Sequence, residues 1–197
     1  MSGFAGKTVS DALLDRARRG DPAAQESLYR LFSSPVFSLA ARMTGSRTAA
    51  EDILQDSFVE ILRGLGSFRG DAAFSTWVRR IAVSRSLMYL RTAWQRRATL
   101  FRDLVNDDQG EWEIADGLAH DPGTGMDLER ALARLPDVAR VVVLLHDVEG
   151  YTHAEIGKLM GMSTSFSKSQ LSRAHRRLRD MLADDAACAG ERDVGIA

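Results

Sequence analysis

The sequence predicts an all-α protein: two small helical domains joined by an acidic flexible linker, with a helix-turn-helix in the C-terminal domain. Three observations lead there. Apolar residues recur at spacings of three and four along most of the chain. No segment alternates apolar and polar residues strongly enough to make a strand. Across residues 98–125 the periodicity fades into FRDLVNDDQGEWEIADGLAHDPGTG, whose acidity and Gly/Pro punctuation mark a tether between domains.

Residues 9–19 read as a short amphipathic helix, with Ser10 as N-cap and Gly20 at its end. Asp21-Pro22 restarts a helix, proline being well tolerated in a first turn. Its inner stripe is Leu28, Leu31, Phe32, Val36, Phe37 and Ala40, and Pro35 is expected to kink or break it. Gly45 and Ser46 close that helix, and Thr48 is expected to cap the next. In this acidic helix Ile53, Leu54, Phe58, Ile61, Leu62 and Leu65 form one face, leaving Asp52, Gln55, Asp56 and Glu60 outward. Gly64, Gly66 and Gly70 open a loop carrying Phe68 and Arg69. Ser75 or Thr76 is expected to cap the following helix, whose inner face holds Trp77, Ile81 and Ala82 and whose charge comes from Arg79, Arg80, Arg85 and Arg91. Beyond the linker, residues 126–135, 138–147, 153–160 and 166–182 read as four helices, and residues 183–197 as a disordered tail. The expected domains are therefore 9–97 and 126–182.

With 197 residues, 45% of them apolar, the chain has the composition of a globular protein with one or two small cores. The longest apolar runs, such as residues 141–145, fall far short of the roughly 20 residues that cross a bilayer, and MSGFAGKTVSD lacks the apolar core of a signal peptide. The expectation is a cytoplasmic protein without membrane insertion. The formal net charge of -1 hides segments of opposite sign: residues 10–97 hold 14 arginines against 9 acids, and residues 98–125 hold one arginine against 7 acids. One cysteine, Cys188, excludes an intrachain disulfide. His120, His146, His153 and His175 show no zinc-site spacing, so no metal or other cofactor is expected.

Two segments carry recognition chemistry. From residue 50 to 91 an acidic helix, a glycine-marked loop and a Trp/Arg helix follow one another, which offers a carboxylate face to a protein and a basic, aromatic-bearing face to nucleic acid. Downstream, YTHAEIGKLMGMSTSFSKSQLSRAHRRLR has helix-turn-helix grammar: a helix capped at Thr152, a turn at Gly161, then a longer basic helix. Side chains near the start of that second helix can reach base edges, which singles out Lys168, Ser169, Ser172 and Arg173. Arg176, Arg177 and Arg179, further along, suit phosphates or solvent.

These motifs resemble those of the extracytoplasmic-function sigma factors, the small branch of the bacterial sigma-70 family. The family pattern AEDLVQE is matched by residues 50–56, FRGDSSFRTWLYRIA by residues 68–82, and LPxxxRxVxxLxxxEGxxxxEIAxLLG by residues 135–161. All three in this order are specific; any one alone is weak. The resemblance implies a non-enzymatic initiation factor with core RNA polymerase, promoter DNA and an anti-sigma factor as partners. Asp52, Gln55, Asp56 and Glu60 would dock on the polymerase. The loop and Phe68, Arg69, Trp77, Arg79, Arg80, Ser84 and Arg85 would hold the single-stranded −10 element, where stacking and phosphate contacts offset unstacking. Trp77 falls in register with Ile81, which favours a core anchor, whereas Phe68 is open to either use. Lys168, Ser169, Ser172, Arg173 and Arg176 would read the −35 element. The linker acids Asp103, Asp107, Asp108, Glu111, Glu113 and Asp116 resemble a segment that mimics nucleic acid in the RNA exit path; a solvated tether is the other reading.

The chain departs from the family pattern at several positions. Ala49 stands where an acid often precedes the AED triplet, Ser84 where Asn is frequent and Met88 where an acid is common. FSKSQ, residues 166–170, replaces TVKSR and puts Ser167 at an expected apolar position beside bulky Phe166. Either the helix starts in a shifted register or Phe166 packs differently. A stand-alone helix-turn-helix regulator is the rival reading, expected to bind symmetric sites without polymerase; a helical enzyme lacks any nucleophile-base pair or phosphate loop in support.

Overall fold

The computed structural model describes the backbone of residues 3–102 and 128–192 and the side chains of residues 3–96 and 128–183. It divides into two compact units, residues 1–108 and 109–197. Helices build both, and the described residues contain no strand. The expected linker acids, Asp103 to Asp116, lie outside the described residues.

In the first unit, α1 (Asp11–Arg18) starts at Ser10, whose hydroxyl accepts from the Leu13 amide at 3.3 Å. Helix α2 (Pro22–Thr44) is capped by Asp21, which accepts from the Ala23 and Ala24 amides, and ends at Gly45, whose φ of 67° suits a residue without Cβ. The Arg16 guanidinium, bonded to Asp21 at 2.7 Å, holds that carboxyl below its ordinary range. Of the two outcomes expected at Pro35, a kink or a break, the break does not occur: α2 is continuous through it. Leu28, Phe32, Val36, Leu39 and Met43 are buried on either side of it, and that continuous apolar face carries the helix past one missing amide.

Helix α3 (Arg47–Gly64) begins two residues before the position expected from Thr48: Ser46 is extended and its hydroxyl accepts from the Ala49 amide at 3.3 Å. Ala40, Ala41, Ala50 and Ile53 bury one another with Phe37 packed against them, small side chains that let helix backbones approach closely. A 3-10 turn, Leu65–Ser67, leads into the loop. Helix α4 (Phe74–Arg102) then starts on the Ala73 carbonyl, which accepts from Thr76 and Trp77 at 2.9 and 3.2 Å. Ser75 and Thr76 thus lie inside the first turn rather than at its cap, and the helix runs beyond residue 97. Phe74, Val78, Ile81, Ala82, Val83, Leu87 and Leu90 are buried along it.

The second unit comprises α5 (Leu128–Ala133), α6 (Asp137–Val143) with a π-helical turn at Leu144–Val148, α7 (His153–Met160) and α8 (Thr164–Arg192). Arg140 is 2% exposed and pairs with Asp137 at 2.7 Å, while its Nη1 donates to the Leu135 carbonyl at 3.2 Å. A guanidinium is thereby buried where the chain turns from α5 into α6, satisfying a carbonyl that the turn leaves open. Helix α7 carries a capping box, Thr152 with Glu155, and ends at Gly161 with φ 69°. A Cβ on Gly157 would stand 2.7 Å from the Met162 carbonyl oxygen, so only glycine permits this closeness of helix and turn without a shift.

Helix α8 begins at Thr164, two residues before the expected start, because the Ser163 hydroxyl accepts from the Phe166 amide at 3.1 Å. It continues to Arg192, through most of the segment expected to be a disordered tail. Ser167 is fully buried, its hydroxyl 3.0 Å from His153 Nδ1, and Leu171, Ala174 and Leu178 follow on the same face. His153 stacks on His146 with ring centroids 4.5 Å apart. Asp147 joins His146 Nδ1 at 2.7 Å to His175 Nε2 at 2.6 Å, which ties the π-helical turn to the middle of α8. Bonds from both imidazoles outweigh partial burial and hold the Asp147 carboxyl below its ordinary range. Burial, then His146 and Lys168, push the His153 imidazole down from its usual value of 6.5, against the smaller pull of Asp147.

Replacing Arg140 with Met leaves Asp137 as a buried charge without its guanidinium and is expected to destabilise the second unit by about 3–5 kcal/mol in chemical denaturation of the full chain; a loss under about 1 kcal/mol would show that water reaches the pair. Because folded His153 binds its proton less readily than the unfolded side chain, its contribution is complete above pH 6.5 and declines as the pH falls below that. Stability measured from pH 7.5 to 5.5 should therefore fall less in His153→Gln than in the parent.

Candidate nucleic-acid interface

Asp52, Gln55 and Asp56 are all exposed on one stripe of α3 because Ile53, Ser57, Phe58 and Ile61 commit the opposite side to the core. Val59, 47% exposed, extends the same stripe as an apolar spot within an acidic surface. Glu60 stands at the edge of it, half-buried and ion-paired with Arg85 of α4. The structure thus joins a residue expected to meet the polymerase with one expected to meet DNA.

The loop between α3 and α4 is held by aromatic packing and by an arginine that the sequence did not single out. Phe68, Phe74 and Trp77 form a triangle with ring centroids 5.2 to 5.4 Å apart, and Phe32 extends it at 5.6 Å. Trp77 lies over Gly64, where an added Cβ would meet the indole at 3.0 Å. Both aromatic candidates are half-buried in this cluster. Arg18, at the end of α1, donates from Nε to the Leu65 carbonyl at 3.1 Å and from Nη2 to the Phe68 carbonyl at 2.9 Å. Nothing in residues 9–19 distinguishes Arg18 from its neighbours Arg16 and Arg19; only the 50-residue reach to Phe68 does.

Arg69 is exposed on the loop. On α4, Arg80, Ser84, Met88 and Arg91 are exposed at helical spacing and make one outward stripe, with half-buried Arg79 and Arg85 to either side. Two of the family departures, Ser84 and Met88, therefore stand on the stripe itself.

On α8 the division is sharper. Lys168, Ser169, Ser172, Arg173 and Arg176 are exposed together, opposite Ser167, Leu171, Ala174 and Leu178. The Arg173 guanidinium folds back on its own helix, with Nε 3.3 Å from the Ser169 carbonyl and Nη2 3.2 Å from the Ser169 hydroxyl, which in turn donates to the Phe166 carbonyl at 2.9 Å. Phe166 points outward, 40% exposed. The two alternatives raised by FSKSQ are thereby decided: Ser167 keeps the inner position, seated on His153, and it is Phe166 that packs differently. Among the described residues no group of three or more His, Cys, Asp or Glu side chains is placed to hold a metal ion, and no helix is long and apolar enough to cross a membrane.

Comparison with known proteins matches the two helical units separately. The sigma-70 region 2 model matches residues 28–96, and the sigma-70 region 4 model matches residues 125–178. The chain is 35% identical over 182 residues to the ECF RNA polymerase sigma factor SigM of Mycobacterium tuberculosis, covering 91% of this chain and 89% of that one. It is 29% identical over 188 residues to the ECF RNA polymerase sigma-E factor of Haemophilus influenzae, covering 91% and 98%. Among solved structures its fold is similar to the sigma factor RpoE from Bartonella quintana in complex with the anti-sigma factor NepR, with a TM-score of 0.55 at 22% identity over 81% of this chain and 97% of that one. CnrH in complex with the cytosolic domain of CnrY gives a TM-score of 0.50 at 23% identity, over 88% and 97%. With both regions matched in order and a relative at this identity spanning nearly the whole chain, the protein belongs to the extracytoplasmic-function branch of the sigma-70 family of RNA polymerase sigma factors.

Proposed function

We propose that this sigma factor binds core RNA polymerase through the exposed stripe Asp52, Gln55 and Asp56, holds the opened −10 element with the loop after α3 and the outer stripe of α4, and reads the −35 element with α8. The observation that carries this is the one-sided exposure of α3, α4 and α8: in each, the side not taken by the core presents the residue types its partner requires. Carboxylates suit a basic protein surface, where charge complementarity speeds encounter and fixes register. Arg69, Arg80 and Arg91 suit phosphates, and Phe68 can offer the free face of its ring to an unstacked base. Trp77, lodged over Gly64, serves as an anchor of the loop. Glu60 serves Arg85, orienting its guanidinium at the margin of the α4 stripe.

On α8, Lys168, Ser169, Ser172 and Arg173 lie in the first turns, where a recognition helix meets base edges, and Arg176 follows towards the backbone. Phosphodiester chemistry belongs to the polymerase, so the protein acts as an initiation factor in the cytoplasm and needs neither catalytic residues nor a cofactor. Sequestration by an anti-sigma protein completes the reading, as RpoE is held by NepR. A stand-alone regulator is not favoured, since the resemblance to sigma factors spans both units.

Exchanging Asp52 and Asp56 for Lys should weaken core polymerase binding by about tenfold or more without altering thermal stability, because both side chains are exposed; unaltered affinity in a titration with labelled core enzyme would refute the docking role. Arg173→Ala should lower initiation at promoters selected by the parent protein, by about 1–3 kcal/mol of discrimination if the guanidinium reads a base. An even loss on promoters with scrambled −35 sequences would make Arg173 a phosphate contact.

A further inference from the structure

The first turn of α8 shows a reversal of ordinary burial. Phe166, the more apolar residue, is 40% exposed, whereas Ser167 next to it is 0% exposed. Left to hydrophobic transfer alone, the ring would occupy the inner position. The fold forbids the exchange. Ser167 is bonded to His153, and Leu171, Ala174 and Leu178 continue its face, so a rotation that buried Phe166 would expose that whole row. The ring is thus held outside by the same packing that seats the helix.

Its surroundings say what can cover it. From residue 164 to 179 the helix carries Lys168, Arg173, Arg176, Arg177 and Arg179 and no acid. Phe166 and Ser169 are one turn apart, the Ser169 hydroxyl donating to the Phe166 carbonyl, and Arg173 folds onto Ser169, so the three residues lie in one row along the helix surface. An apolar spot inside an acid-free cationic face fits a polyanion that itself presents apolar spots. The DNA major groove does so wherever a thymine places its 5-methyl group at the edge of the stack.

We propose that Phe166 is a specificity-determining residue: its ring contacts the 5-methyl group of a thymine in the −35 element, next to the base met by Arg173. This rests on the reading of α8 as the −35 helix. Threonine, which the family pattern carries at this position, offers a single methyl group to such a contact, whereas a phenyl ring at position 166 offers a larger apolar face.

The test uses the full-length protein with core polymerase and a promoter library randomised across the −35 element, selected by transcription with the parent, Phe166→Ala and Arg173→Ala. The parent should require thymine at a position adjacent to the one where Arg173→Ala relaxes selection, and Phe166→Ala should relax that thymine alone. Replacing this thymidine with deoxyuridine, which removes only the methyl group, should lower initiation by the parent about three- to tenfold and leave Phe166→Ala unchanged. The inference is overturned if Phe166→Ala selects the same sequences as the parent, if it loses activity equally on thymidine and deoxyuridine templates, or if its deficit lies in polymerase affinity. If neither variant changes the selected sequences and neither lowers initiation, the reading of −35 DNA by α8 fails with it; if Arg173→Ala shifts selection and Phe166→Ala does not, the Phe166 contact alone is lost.

Discussion

Each half of this protein depends on a long helix buried along one side only. On α8 the buried row Ser167, Leu171, Ala174 and Leu178 sets the rotational phase, and Lys168, Ser169, Ser172, Arg173 and Arg176 have no other direction to face. On α4, Val78, Ile81, Ala82 and Leu90 do the same for Arg80, Ser84, Met88 and Arg91. Because residues three and four apart share a face, one buried position governs several exposed ones, and the specificity of the surface is inherited from the core. The His153–Ser167 bond matters for this reason more than for its own modest energy: it permits a polar residue at a phase-setting position without leaving an unsatisfied hydroxyl.

The arginines divide into two populations that their number alone conceals. Arg18 and Arg140 each divide their donors between a nearby carboxylate and backbone carbonyls, the first clasping the loop ahead of α4 and the second closing the turn between α5 and α6. Their planar forks suit open carbonyls, which cannot be satisfied by a long apolar side chain. Arg80, Arg91, Arg173 and Arg176 are exposed and lie on the outward stripes. The arginine of the LP-x-x-x-R pattern, Arg140, is therefore a framework residue, 2% exposed and remote from any surface role.

Much of the fold was legible in the sequence because a three-to-four periodicity with clear caps leaves few alternatives. Thr152 with Glu155, Gly161 and Ser10 mark real helix ends. The misjudged boundaries share a physical origin. Several hydroxyl residues lie close together at Ser46 and Thr48, and again around Ser75 and Thr76, and which position becomes the cap is decided by backbone conformation and tertiary packing. Pro35 was expected to kink or break α2 from local propensity, and with the buried stripe on both sides of it the helix runs through unbroken. The arrangement of the site was less legible. The Glu60–Arg85 pair, the reach of Arg18 to Phe68 and the choice between Phe166 and Ser167 all depend on contacts between distant segments, which periodicity does not encode.

The ion pair between Glu60 and Arg85 has a bearing on how the protein responds to its ionic surroundings. A guanidinium already neutralised by a neighbouring carboxylate gathers few anions from solution, and a phosphate arriving there must compete with Glu60 instead of displacing a diffuse cloud. Counterion release at this margin is accordingly smaller than the tally of positive charges implies. If this unit holds the opened −10 element as proposed, Arg85 adds less to the salt dependence of that grip than an arginine without a carboxylate beside it would.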